Sequence, residues 1–135
     1  MYRVKCCLTG LVILGAAFVS PAALAETADL EKLVASPLDY LGKTVEVAGY
    51  CVKGGVKGDV LGYECTTDGT VYINAVDVAP DAAKEKVDES CKGEGRDSAC
   101  RVTIRFVPHS FTTSSVIEPD KTITIFTTEK AELSF

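Results

Sequence analysis

The chain has 135 residues, 14 basic and 19 acidic side chains, a net charge of −5, and 47% hydrophobic residues. That length suits one domain around one core, with no room for a second. The acidic balance argues against a protein held broadly on nucleic acid, because phosphate binding needs a basic face that releases counterions.

The first 25 residues differ from the rest. Arg3 and Lys5 make a short basic start, residues 8–19 form an apolar run, and Ala23-Leu24-Ala25 is a small-x-small pattern before Glu26. These features predict a secretory signal peptide over residues 1–25. The run falls short of the roughly 20 residues a membrane span needs. The expectation is a single domain over residues 26–135, periplasmic or secreted, with no membrane span after cleavage. Cys6 and Cys7 precede the apolar run, where no lipid-attachment pattern fits, and they leave with the signal. Losing Arg3 and Lys5 leaves 12 basic against 19 acidic groups, a net charge of −7.

Residues 26–42 begin with a short amphipathic helix. Leu30, Leu33 and Val34 follow helical spacing, and Thr27 or Asp29 can cap it. Ser36-Pro37 ends it, since a residue before proline avoids helical backbone. Leu38, Tyr40 and Leu41 are expected as an apolar flap on the sheet.

Three antiparallel strands follow. Residues 43–53 alternate, with Val45, Val47 and Cys51 on one side and Glu46 and Tyr50 on the other. Gly49 interrupts the pattern, which suggests a bulge or bend. Gly54, Gly55, Gly58 and Asp59 mark the first turn, and residues 60–66 the second strand. Cys51 and Cys65 lie symmetrically about Gly58, so the hairpin sets them opposite each other. A disulfide needs Cα atoms within roughly 4.4–6.8 Å, which favours Cys51–Cys65 and leaves Cys91–Cys100. Export into an oxidising space makes bridges the default. Zinc is the rival, but its close C-x₂-C pairs are missing. A three-residue loop, Thr67-Asp68-Gly69, pairs Thr66 with Thr70. It puts Tyr63, Cys65, Val71, Ile73 and Ala75 on one apolar face and Glu64, Thr66, Tyr72 and Asn74 on the other.

Residues 80–91 read as a helix with Pro80 first and with Ala83, Val87 and Cys91 on its inner side. The polar loop 92–99 would be pinched off by the second bridge. Residues 101–107 form the fourth strand, with Val102, Ile104 and Phe106 inward. Arg101 and Arg105 point outward, as an anion contact or, more ordinarily, as exposed positions on a half-buried strand. Residues 108–120 read as an irregular connection. Residues 121–127 form the fifth strand, with Ile123 and Ile125 inward, and the tail continues it or packs alongside.

Strand, strand, strand, helix, strand, strand is the order of the OB-fold, a five-stranded Greek-key barrel. The stretches YLGKTVEVAGYCV and TTDGTVYINA also resemble small exported bacterial OB-fold domains of the tRNA-anticodon-like group. The fold class expected is therefore mainly β: a five-stranded OB barrel with a helix between strands three and four and a short N-terminal helix. The resemblance implies a binding module that uses strands two and three and the loops beside them. Carried onto this chain, that surface holds Tyr50, Lys53, Tyr72 and Asn74, and its partner is a protein, peptide or glycan in the envelope. The alternative is single-stranded nucleic acid, which stacks bases on aromatics in a basic groove. The absence of tryptophan, the negative balance and Glu64 on that face count against it.

No catalytic residue, metal or cofactor is assigned. His109-Ser110 is the only His–Ser neighbourhood, and adjacency in a loop does not assemble a nucleophile, base and orienting acid. Asp77, Asp81, Asp88 and Glu89 cluster near a helix whose start favours acids. GGVKGD lacks the phosphate-loop pattern.

Overall fold

A computed structural model of the protein describes residues 24–54, 62–67, 69–92, 97–114 and 122–135. The expected signal segment lies outside these residues except for its last two positions. The turn glycines Gly55 and Gly58, with Asp59, Val60, Leu61 and Asp68, also lie outside them.

The fold is mainly β. Nine strands form one mixed sheet: β1 (Glu26–Thr27), β2 (Val45–Lys53), β3 (Tyr63–Thr66), β4 (Val71–Ala75), β5 (Val78–Ala79), β6 (Arg101–Phe106), β7 (Ser110–Ser114), β8 (Thr122–Thr127) and β9 (Ala131–Ser134). Their order is β5-β9-β6-β2-β3-β4-β8-β7, with β1 beside β2 and no hydrogen-bonded ladder joining the two ends. Among the described residues two α-helices accompany the sheet, α1 (Leu30–Ala35) and α2 (Asp81–Ser90), with short 3-10 turns at Pro37–Tyr40 and Ser98–Cys100.

Alternation explains the sheet. Val45, Val47 and Cys51 of β2, Val71 and Ile73 of β4, Val102, Ile104 and Phe106 of β6, and Ile123 and Ile125 of β8 are all buried. Burying each of the larger aliphatic side chains contributes about 1.5–3 kcal/mol. Leu33 of α1 and Ala83 and Val87 of α2 add their inner faces to the same core. Asp29 caps α1 by accepting from the Glu31 N–H at 3.0 Å.

Cys51 and Cys65 are paired residues with Cα atoms 4.0 Å apart and sulfurs at disulfide distance. Their Cα separation is slightly inside the usual span. Cys91 and Cys100 form the second pair, Cα atoms 5.6 Å apart, tying the end of α2 to the start of β6. Such pairs suit an oxidising compartment. Among the described residues no helix is long and apolar enough to cross a membrane.

Several expectations need correction. The β3–β4 register pairs Thr66 with Tyr72 and Cys65 with Ile73, two residues away from the expected pairing. Thr67 donates to the Val71 carbonyl at 3.2 Å, so the turn lies between them and Gly69, at φ 99°, sits within it rather than closing it. A shift of two preserves every side-chain face, so the inner and outer sets survive. Gly49 is no bulge: β2 pairs with β6 through Gly49↔Val102 and with β3 from Tyr50↔Thr66 without an inserted residue. A Cβ there would meet the Thr66 carbonyl oxygen at 2.5 Å, so close approach is its reason. Residues 110–114, expected within an irregular connection, form β7 against β8. Pro80 stands at the N-cap of α2 rather than inside it. Leu38 is 70% exposed and takes no part in an apolar flap, whereas Tyr40 beside it is buried.

Candidate functional site

The inner face of the sheet is given to the core, while the outer face carries mostly polar and aromatic residues, among which Val52 and Thr66 are themselves buried and Tyr50 packs against the core. Cross-strand registers put its residues in rows. One row runs Arg101, Tyr50, Thr66, Tyr72, Thr124 and Thr112 across β6, β2, β3, β4, β8 and β7. The next runs Val52, Glu64, Asn74, Phe126 and Ser110. Directly opposed side chains stand about 4.5–5.5 Å apart at Cβ. Tyr50 and Tyr72 therefore flank Thr66 on both sides, and Asn74 lies beside Phe126.

Three of the four expected site residues are brought together here: Tyr50, Tyr72 and Asn74, all half-buried. Lys53 is not among them. It pairs with Tyr63, on the opposite parity from Tyr50, and its ammonium lies 3.3 Å from Asp88 of α2. The same carboxylate accepts from the Tyr63 hydroxyl at 2.7 Å. Burial, and then the bond and charge of Asp88, push the Tyr63 phenol well above its ordinary value. Lys53, Tyr63 and Asp88 thus link α2 to the β2–β3 hairpin.

Thr66 departs from the expectation of an outward, displayed position. It is only 4% exposed although its parity is outward. Among the described residues its buried hydroxyl has no hydrogen-bond partner, and neither has the buried Oδ1 of the Asn74 amide. Buried polar atoms are ordinarily satisfied, and an unmet one costs about 1–3 kcal/mol. The two atoms lie on the outer parity of the adjacent strands β3 and β4.

Phe126, 37% exposed, also belongs to this face. Sequence reasoning followed Ile123 and Ile125 inward and stopped there. The same alternation places Thr122, Thr124 and Phe126 outward, so the signal was present.

The other candidates disperse. Asp77 accepts from Lys84 at 2.7 Å, from Lys130 at 3.0 Å and from the Val78 N–H at 2.9 Å. Those partners hold its carboxyl far below the ordinary carboxylate range and raise Lys84 above its ordinary value. Asp77 and Asp88 are thus bound into separate contacts rather than a common acidic site. Among the described residues no group of three or more His, Cys, Asp or Glu is disposed to hold a metal. His109 is exposed, and its N–H donates to the Phe126 carbonyl at 2.9 Å. Arg105 lies 3.8 Å from Glu132. Among the described residues, clefts of 280 and 190 Å³ are lined by charges of both signs and by none of Tyr50, Tyr72 or Asn74.

No protein-family model, curated protein or solved structure matches the chain.

Proposed function

We propose that the protein is a non-enzymatic, exported binding module of OB type that takes a protein, peptide or glycan ligand in the cell envelope, in the periplasm or outside the cell. The strand order supports the fold reading. β6 and β7 are separated by three residues, as are β8 and β9, and each pair reads as one bent strand. Under that reading the circuit is β2, β3, β4, β8–β9, β6 and back to β2, with a parallel β4–β8 contact and α2 between the third and fourth barrel strands. The Gly42 N–H donates to the Pro108 carbonyl at 2.9 Å, which holds the bend of the fourth strand beside the start of the first.

The single observation that carries the functional reading is the row Tyr50–Thr66–Tyr72 with its buried, unpartnered hydroxyl. Aromatic rings offer apolar area with a polar tip, and binding sites combine such surface with a few polar groups. A fold by itself settles no function, so the test addresses this face. A photo-crosslinking amino acid is placed at position 72, at 126 and, as a control on another exposed surface, at 129, in the producing cells. Adducts from 72 and 126 but not 129 support the module. Equal adducts from all three, or none from 72 and 126, overturn it.

A further inference from the structure

We infer that the row Arg101–Tyr50–Thr66–Tyr72 is a site for a carboxylate-bearing saccharide, with the acid on Arg101 and a sugar ring across the tyrosines. The inference rests on the binding-module reading and names its ligand class.

An extended peptide that adds to a sheet needs an unpaired strand edge. The three central strands of the row have none over this stretch: β2 lies between β6 and β3, β3 between β2 and β4, and β4 between β3 and β8. A ligand lying on the row is therefore held by side chains.

Those side chains suit a sugar. Tyr50 and Tyr72, both half-buried, offer aromatic surface of the kind that packs on the apolar C–H face of a pyranose. Thr66, Asn74, Thr124 and Thr112 offer hydroxyl and amide groups, which both donate and accept and so match sugar hydroxyls. Among the described residues the buried Thr66 hydroxyl and Asn74 Oδ1 have no hydrogen-bond partner. A sugar hydroxyl that bonds to them would satisfy groups already withdrawn from the surface.

Arg101 ends the row, exposed, and among the described residues it makes no ion pair. Its guanidinium presents the planar fork that fits a carboxylate. Arg105, the next outward position on β6, is engaged with Glu132. Glu64 lies two strands over and one row along. Strand spacing and rise put it roughly 12 Å from Arg101, beyond a Debye length of about 8 Å at physiological salt. One cation beside two rings suits a ligand with an isolated acid. A polynucleotide presents a phosphate at every residue and rewards several cations.

The test uses the purified, oxidised protein and three probes: a β-linked tetrasaccharide ending in a single uronic acid, the neutral tetrasaccharide of the same linkage and length, and a thymidine oligonucleotide. Calorimetric titration of the uronate should show binding at least tenfold tighter than of either other probe. Arg101→Gln should remove that preference without altering the thermal midpoint. Thr66→Val should weaken the uronate about tenfold while raising the midpoint, because valine removes a buried unmet hydroxyl. A merely structural threonine would not give that opposition. Equal affinity for acidic and neutral sugars, or a preference that survives Arg101→Gln, overturns the inference. Tightest binding of the oligonucleotide, or binding of no probe, overturns it too. Crosslinking from positions 72 and 126 decides the binding-module reading separately, so the two failures are distinguishable.

Discussion

A methyl group placed on Gly49 has nowhere to go. Its Cβ would lie 2.5 Å from the Thr66 carbonyl oxygen and 3.1 Å from the Ile104 side chain, and the nearer atom is backbone held in the β2–β3 ladder. Gly54 differs: its φ is +74° but nothing lies within 4 Å of the added carbon. The two positions separate collision from conformational strain. Gly49→Ala should cost about 2–3 kcal/mol by overpacking. Gly54→Ala should cost about 1 kcal/mol, from left-handed backbone alone. Urea unfolding of the pair checks the order. If Gly54→Ala proves the worse, close approach is not the reason for glycine at position 49. The consequence reaches the site, because the carbonyl that Gly49 admits belongs to Thr66, the centre of the outer row.

At the scale of elements, the two cysteine pairs and Asp77 do the tying. Cys51 and Cys65 are 14 residues apart in sequence, and Cys91 and Cys100 are 9 apart. Replacing the first pair by alanine should cost about 3 kcal/mol in chain entropy, and the second slightly less because its loop is shorter. A non-reduced peptide map that links Cys51 or Cys65 to the later pair would contradict the β2–β3 register. Asp77 joins three elements: it sits before β5, bonds Lys84 of α2, and meets Lys130 just before β9. The sign of its pH effect follows from its lowered folded-state pKa. Its contribution is present in full above the unfolded value of 3.8 and is lost as pH falls through the depressed folded value. Lys84 is raised, so its share is complete below 10.5 and is lost as pH rises through its folded value. Asp77→Asn should therefore lower the thermal midpoint by a constant amount between about pH 5 and pH 9. The gap from the natural protein should close below pH 4 and narrow above pH 10.5. A gap independent of pH would show that the carboxylate acts by shape rather than charge.

For the whole molecule, legibility in the sequence divides by range. Alternation in VEVAGYCV and RVTIRF fixed which residues face inward, because period two is local. The cysteine symmetry about Gly58 gave the β2–β3 register for the same reason. The β3–β4 register slipped by two because nothing local says whether Gly69 closes its turn or sits inside it. The ion pair of Lys53 was not legible because its partner Asp88 lies 35 residues away. The buried hydroxyl of Thr66 could not be read at all, since a threonine in a strand is ordinary until its neighbours are known. Long-range pairing also carries the last prediction. β9 pairs with β6 along Thr103↔Ser134 to Arg105↔Glu132 and with β5 on its other edge, and it buries Ala131 and Leu133. If β8 and β9 are one bent strand that completes a circuit, removing residues 131–135 opens the molecule along β6. Losing Leu133 alone should cost about 2–5 kcal/mol, and the edge of β6 is then exposed. Hydrogen exchange should show Thr103 and Arg105 losing protection, and β2 opposite them loosening with it, while the Tyr63–Ala75 and Cys65–Ile73 pairs stay protected. If the shortened chain instead loosens uniformly, β9 is a global support. If β6 and β2 keep full protection, β9 is an appendage and the circuit does not exist.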